Sequence, residues 1–376
     1  MYIYPRLTPK FGSMKKVITL VCMSYCALNV TYAQNTDVKV LSEEQAEQLK
    51  AKQLPLDAEN AYNEGVSAFM AKDYQTAIAK FTTAIKIYPE FPKAYLNRGM
   101  SYAALKDKEN ALKDFTMVTE MDSTSSLAYY EKSQVYFNEQ DYQSAVNELG
   151  KAIKINDNEV KYFYQRAMAY FQMENYKDAI ADFDRVLKID PYNAYAYNDR
   201  GSAYKELDDL DKAVESYKMA VAKDKTFKIA YNNLGSVYRK QKKYNLAIEA
   251  FTNAINNDAD FYIAYNNRGY AKLESGDFEG AIKDFDKVIQ LKPNYAFAFN
   301  NKASAYIKME KWDDAVKQCD LAIKLHPDYG YAYYNRGIAK EMQHNEEKAC
   351  EDWLKAAELG VKVAESYYAN SECNNF

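Results

Sequence analysis

The segment Tyr265–Gly269 reads YNNRG, and its residue types have the chemistry of a binding site. Side-chain amides both donate and accept hydrogen bonds, as an extended peptide backbone does, and an arginine can hold a carboxylate. No single active site needs several copies of such a phrase, so its repetition indicates architecture first. The copies are YLNRG at Tyr95, YNDRG at Tyr197, YNNLG at Tyr231, FNNKA at Phe299 and YYNRG at Tyr333.

The phrase belongs to a period of 34 residues that runs through most of the chain. Such a period is typical of repeat architectures, in which each unit is one supersecondary element. Alanines recur every 34 residues, and a small residue stands twelve positions before each of them. The alanines are Ala77, Ala111, Ala145, Ala179, Ala213, Ala247, Ala281, Ala315 and Ala349.

Each unit splits into two amphipathic helices. In the unit 262–295, Tyr265 and Gly269 lie on one face of a first helix, and Ala281 and Phe285 lie on the matching face of a second. The small residues let the two backbones approach closely, and the aromatic rings fill the space around them. Gly276 supplies the left-handed residue that closes the first helix.

This pattern of aromatic, small, alanine and proline positions resembles the tetratricopeptide repeat (TPR) over residues 58–363. The resemblance implies an all-α fold, a right-handed α-solenoid or superhelix of nine helix-turn-helix units with terminal capping helices. The first helices would line a concave groove for an extended peptide or protein segment. The expected caps are Ser42–Lys52, within an N-terminal segment 34–57, and a C-terminal helix and tail, 361–376. The units are 58–91, 92–125, 126–159, 160–193, 194–227, 228–261, 262–295, 296–329 and 330–363.

The cation of the phrase recurs with an acid sixteen residues later. This spacing places the cation on a first helix and the acid on the second helix of the same unit, so we interpret the pairs as structural. Arg200 and Lys302 lack such an acid, and a partner in a neighbouring unit fits the pattern less well. The predicted pairs are Arg98–Asp114, Arg166–Asp182, Arg268–Asp284 and Arg336–Asp352.

The amides form two adjacent rows on the side of the first helices that faces away from the second. Similar repeat arrays use an asparagine ladder along the groove, and the resemblance implies the same use here. The alternative is that these asparagines only stabilise the helix start. If they face an open groove, their replacement by alanine should leave the melting temperature unchanged. The candidate peptide-binding amides are Asn97, Asn198, Asn232, Asn233, Asn266, Asn267, Asn300, Asn301 and Asn335.

The remaining groove positions are uneven in character. Phe69, Phe137 and Phe171 would make the first half apolar and provide side-chain pockets, whereas Arg239 contributes to a polar and partly basic middle. We therefore predict a non-enzymatic scaffold that binds a protein or peptide segment during cell-envelope assembly. The alternative is a periplasmic glycan-binding module, because tyrosines and amides also suit sugar rings and hydroxyls.

The N-terminal residues predict export. Residues 14–33 hold two lysines, an apolar run and the sequence TYA, which is typical of a signal peptide spanning 1–33. Translation would start at Met14 or at Met1, and an anchor helix is the alternative reading of the apolar run. Cleavage before Gln34 removes four of 49 basic residues and none of 53 acidic ones, which leaves a net charge of −8. A processed chain is expected in the periplasm and is not expected to insert into the membrane. Its negative charge argues against nucleic acid as a partner.

The sequence offers little for catalysis, and we predict no enzyme activity, no cofactor and no metal site. Its two histidines, His326 and His344, fall in turns eighteen residues apart, and there is no phosphate loop or nucleophile elbow. Cys350 and Cys373 are close enough along the chain either to be joined in an oxidising compartment or to remain separate thiols.

Overall fold

A computed structural model describes residues 54–370 and Cys373. The predicted signal peptide and the cap Ser42–Lys52 lie outside the described residues. The chain divides into two units, Met1–Leu56 and Asp57–Phe376, and the account below concerns the second. Its described part consists of α-helices with no β-strand, which confirms the predicted all-α solenoid.

The helices alternate between a first and a second type along the chain. We call the odd-numbered helices from α1 to α17 the first helices. The even-numbered helices from α2 to α18 are the second helices. The unit boundaries predicted above are not tested by these bounds. The helices are α1 Leu56–Met70, α2 Tyr74–Ile87, α3 Pro92–Ala104, α4 Lys108–Met121, α5 Ser126–Asn138, α6 Tyr142–Ile155, α7 Val160–Gln172, α8 Tyr176–Ile189, α9 Ala194–Glu206, α10 Leu210–Lys223, α11 Lys228–Lys240, α12 Tyr244–Asn257, α13 Tyr262–Ser275, α14 Phe278–Leu291, α15 Ala296–Lys308, α16 Trp312–Leu325, α17 Gly330–Glu341, α18 Glu346–Glu358 and α19 Lys362–Asn370.

The core lies where a first helix packs on the second helix that follows it. A Cβ atom added to Gly269 would lie 2.7 Å from Cε1 of Phe285, and one added to Gly99 would lie 2.7 Å from Cε1 of Phe115. Both rings are completely buried. The small residue is therefore required by an aromatic ring sixteen positions later, which fixes the separation of the two helices.

The turn within each helix pair places one residue in the left-handed region. Gly276 does so at φ 93° and meets no atom that a side chain would strike. At the other turns the same role falls to residues that carry a Cβ atom and so adopt this conformation at some cost. These are Lys72, Lys106, Gln140, Glu174, Asp208, Lys242, Glu310 and His344, with φ between 56° and 64°.

Consecutive helices pack on one another along the array, and several successive first helices, such as α15 and α17, also touch. The last helix, α19, covers α18 through contacts among Ala356, Val361 and Ala364. It lies where a C-terminal cap was predicted. In the described residues no helix combines the length and apolar character needed to cross a membrane.

Candidate functional site

The two amide rows are joined to each other by hydrogen bonds between consecutive first helices. Asn267 Nδ2 donates to Asn232 Oδ1 at 2.9 Å, across 35 residues of sequence. We call the residues equivalent to Asn267 the donor row, those equivalent to Asn232 the acceptor row, and each such pair a rung. Further amide rungs are Asn233–Asn198 at 3.0 Å, Asn301–Asn266 at 3.0 Å and Asn335–Asn300 at 2.8 Å.

The amides are less exposed than side chains that face a fully open groove. Asn198 is fully buried and Asn300 is 5% exposed, while the donor-row amides are half-buried. The reason is the close approach of successive first helices, which brings the acceptor row of one helix against the donor row of the next. These amides therefore contribute to the stacking of the helices.

The rungs leave part of each amide's hydrogen-bonding capacity unused. In the rung of Asn232 and Asn267, neither Asn232 Nδ2 nor Asn267 Oδ1 bonds to another described residue. The rung of Asn266 and Asn301 is alike. Each of these rungs thus retains both a donor and an acceptor, the pair that a peptide group presents in return.

Two other rungs use different side chains. Asn97 Nδ2 donates to the hydroxyl of Tyr62 at 2.8 Å, and the hydroxyl of Tyr164 donates to the carboxylate of Asp199. Asp199 is buried and also accepts from Asn198 Nδ2 at 2.9 Å. These pairs keep the spacing of the asparagine rungs, so the geometry does not depend on asparagine itself.

The row is interrupted at two consecutive rungs. In the donor row, Glu131 stands opposite Leu96, and Gln165 stands opposite Tyr130. None of these four side chains forms a hydrogen bond within the described residues. Burial raises the pKa of Glu131 to about 7, although the charge of Lys161 opposes this shift. Sequence reasoning missed this feature, although a carboxylate in a row of amides was its visible signal.

The predicted ion pairs are formed within helix pairs. Arg98 donates to both carboxylate oxygens of Asp114 at 2.8 Å, and Arg268 donates to those of Asp284 at 2.9 and 2.6 Å. The acid side chains are nearly buried, at 3% and 5% exposure. The fork-like geometry makes these contacts stronger than surface ion pairs. Arg166–Asp182 and Arg336–Asp352 have the same two-bond arrangement.

Several cations also reach an acid on the preceding second helix. Lys302 contacts Asp286 at 2.6 Å and Arg200 contacts Asp184 at 2.6 Å, so neither is left without a partner. Arg336 bridges Asp320 and Asp352 at 2.6 and 2.7 Å. For these three cations the preceding helix pair thus supplies a partner that the predicted pairing within a unit did not include. An acid sixteen positions before the cation was the signal.

The predicted side-chain pockets are already partly occupied by neighbouring residues. Phe137 packs edge to face on Tyr142 and Phe171 on Tyr176, with ring centroids 5.2 Å apart in both pairs, and Phe69 packs similarly on Tyr74. The guanidinium of Arg239 lies over the Tyr270 ring and contacts Glu274 at 3.2 Å. The basic character predicted for the middle of the groove is thus balanced by an acid.

A run of aromatic rings lies near the start of α15 and α17. Tyr295, Phe297 and Tyr329 follow one another with centroids 5.2 and 4.8 Å apart, and Tyr331 continues the run at 6.4 Å. Phe297 is 43% and Tyr331 55% exposed. Burial raises the pKa of Tyr329 to about 12.

The three cysteines of the described residues form one disulfide and one buried thiol. Cys350 and Cys373 are joined by a disulfide with Cα atoms 5.4 Å apart, and the bond lies beside Trp353. Burial raises the pKa of Cys319, which stands in the position of a core aromatic residue. Among the described residues, no group of three or more His, Cys, Asp or Glu side chains is arranged to hold a metal ion.

Models of the tetratricopeptide repeat match nearly all of the helical region. Together they cover residues 62–361 except 296–299. No curated protein matches the sequence closely enough to count as a relative. The matched segments are 62–126, 127–159, 160–193, 183–215, 229–261, 262–295 and 300–361 for models described as tetratricopeptide repeat, and 201–242 for one described as TPR repeat.

Two of the similar solved structures share the fold. A tetratricopeptide repeat protein from Parabacteroides merdae is 19% identical with a TM-score of 0.54, covering 66% of this chain and 99% of its own. The C-terminal part of a TPR protein from Cytophaga hutchinsonii is 18% identical with a TM-score of 0.53, covering 63% and 98%. YrrB, described as a TPR protein with an unusual peptide-binding site, is 24% identical with a TM-score of 0.43, covering 49% and 95%.

Proposed function

Because the chain belongs to the tetratricopeptide repeat family, a family of protein-interaction scaffolds, we propose that it binds an extended segment of a partner protein along its amide rows. The proposed role is non-enzymatic and belongs to cell-envelope assembly. The amide rungs, not an active site, carry the proposal.

The observation that supports it most directly is the unused capacity of the rungs. Asn232 and Asn266 keep amide donors, and Asn267 and Asn301 keep amide oxygens. Because each asparagine is held by its neighbour, its side chain is already ordered before a ligand arrives. A preordered site loses less conformational entropy on binding, which favours recognition of a backbone by many weak contacts.

Peptide display on the protein beginning at Gln34 tests this proposal. Random peptides are selected on the wild type and on a variant with Asn232→Ala and Asn266→Ala, which removes the free donors together with the oxygens that accept from Asn267 and Asn301. The wild type should enrich peptides that the variant binds at least about fivefold more weakly, since each of the two lost hydrogen bonds contributes about 0.5–1.5 kcal/mol. Equal binding by both proteins would place the interaction elsewhere.

The proposal includes export and a periplasmic location. Its support is the signal-like segment at residues 14–33. Mass spectrometry of the protein from a cell-envelope extract should give a mature N-terminus at Gln34. Retention of residues 14–33, or recovery only with the membrane fraction, would exclude this location.

A glycan is the second candidate ligand, and the exposed rings of Phe297 and Tyr331 favour it. Aromatic faces beside amides can hold an apolar face and the hydroxyls of a sugar. A pulldown with immobilised glycans, compared with the Phe297→Ala, Tyr331→Ala double variant, separates the two candidates. Retention of the protein that depends on these rings, without peptide binding, would favour the glycan.

A further inference from the structure

The two interrupted rungs leave one carboxylate with no counter-charge in direct contact. Glu131 is only partly exposed, and neither of its oxygens forms an ion pair or hydrogen bond within the described residues. Leu96, its partner across the rung, is apolar and has nothing to donate. A carboxylate withdrawn from water without a donor is unfavourable, so this position is poised to gain from a cation.

The surrounding groups do not supply that cation. The ammonium of Lys161 is held over the rings of Tyr130 and Tyr162, 5.1 and 5.5 Å from their centroids, and acts on Glu131 only through its field. Lys132, the next residue on the same helix, lies 3.7 Å from Glu148. Glu159 adds a further negative charge near Tyr130.

A second unsatisfied group lies one turn along the same helix. Gln134 Nε2 is one of four buried side-chain nitrogen or oxygen atoms that have no hydrogen-bond partner among the described residues. Residues three positions apart on a helix are surface neighbours, so Gln134 lies beside Glu131. An unpaired carboxylate and an unsatisfied amide thus lie within a single helical turn. A basic residue complements the carboxylate, because its side chain is a cation that can donate to both carboxylate oxygens.

An acid at the equivalent position two helix pairs later has hydrogen-bond donors for its carboxylate. Asp199 occupies the same register as Glu131, but it accepts hydrogen bonds from Tyr164 and Asn198. Negative charge in the donor row is thus compatible with the fold when donors accompany it. The arrangement at Glu131 differs by lacking them.

We propose that the rung of Leu96 and Glu131 is where the bound segment places a lysine or arginine side chain, with Glu131 as its counter-charge beside the unsatisfied amide of Gln134. This inference rests on the proposed function, because the same segment would continue along the amide rows. It assigns to the partner a basic residue at the α3–α5 end of the rows.

Parallel selections of random peptides test the inference. They use the protein beginning at Gln34 as wild type, Glu131→Gln, and the matched control Asp199→Asn, which removes a charge of the same register. Wild type and control should enrich peptides with a lysine or arginine at one position, and Glu131→Gln should lose that preference. Replacing the enriched arginine by uncharged citrulline should weaken binding to the wild type on the order of tenfold and leave binding to Glu131→Gln unchanged.

Melting curves first establish that each variant is folded. If Asp199→Asn does not fold, Glu64→Gln takes its place as the control variant. Peptides selected without a basic preference, or with one that persists in Glu131→Gln, would overturn the assignment of Glu131 and leave groove binding intact. Failure of every protein to select any peptide would overturn both the inference and the proposed function.

Discussion

Asn267 Nδ2 lies 2.9 Å from Asn232 Oδ1 on the preceding first helix, 35 residues earlier. This hydrogen bond joins two helices that a short-range reading of the sequence would treat as independent. It gives the asparagines a structural role as well as free donor and acceptor atoms for a ligand. The consequences for stability and for binding can be measured separately.

The triple variant Asn233→Ala, Asn267→Ala, Asn301→Ala should be less stable than the wild type. Each substitution removes a hydrogen bond between buried or half-buried amides, and the loss should be about 0.5–1.5 kcal/mol per rung. Urea unfolding followed by circular dichroism measures it. Asn138→Ala, at an exposed position with no rung, is the control, and an unchanged midpoint in the triple variant would show that the rungs do not contribute.

The pair of Arg268 and Asp284 should show a coupling free energy of about 1–3 kcal/mol in a double-mutant cycle. Neutral substitutions, Arg268→Met and Asp284→Asn, are preferable to a charge exchange because Lys272 lies 2.9 Å from Asp284 and would repel an arginine there. The exposed pair of Glu64 and Lys80 is the control, with an expected coupling of about 0–1 kcal/mol. Equal coupling in the two pairs would contradict the effect assigned to burial.

Lys106→Gly should stabilise the protein by about 0.5–1 kcal/mol. Lys106 has φ 64°, where a Cβ atom is unfavourable, and the relief exceeds the added entropy of glycine in the unfolded chain. Lys113→Gly, at an exposed position inside α4, should instead destabilise by about 1 kcal/mol. Thermal unfolding of both variants gives the comparison, and destabilisation by Lys106→Gly would refute the strain argument.

Glu131→Gln should stabilise the protein at neutral and higher pH and have little effect in acid. Because burial raises the pKa of Glu131 to about 7, the folded state holds a proton that the unfolded chain has already lost. Wild-type stability should therefore fall as pH rises from about 4 to about 7, and the variant should lack this component, of roughly 1–3 kcal/mol. Urea unfolding at several pH values tests it, and a difference independent of pH would contradict the shifted pKa.

Reduction of the Cys350–Cys373 bond should loosen the C-terminal end of the array while the remaining helices stay folded. The bond spans 23 residues, and closing a loop of that size stabilises by about 3 kcal/mol. Hydrogen exchange should accelerate first in α18 and α19, because each helix depends mainly on its neighbours. Uniform acceleration along the chain, or three free thiols in the unreduced mature protein, would contradict this prediction.

The sequence alone determined the elements and the contacts within each helix pair. A 34-residue period with Gly269 and Phe285, or Arg268 and Asp284, sixteen positions apart is a local pattern. The turn between two paired helices holds both residues at nearly fixed separation, so spacing predicts contact. The all-α solenoid followed from the same regularity.

Only the tertiary structure decided which residues meet across consecutive pairs. The rung of Asn267 with Asn232 and the ion pair of Lys302 with Asp286 depend on how far each helix pair is rotated and shifted on the one before. That relationship is set by the packing of many side chains, so the spacings of 35 and 16 residues can be assigned to contacts only once the packing is known. The same packing places Glu131 opposite Leu96, which is why its missing counter-charge becomes visible only in three dimensions.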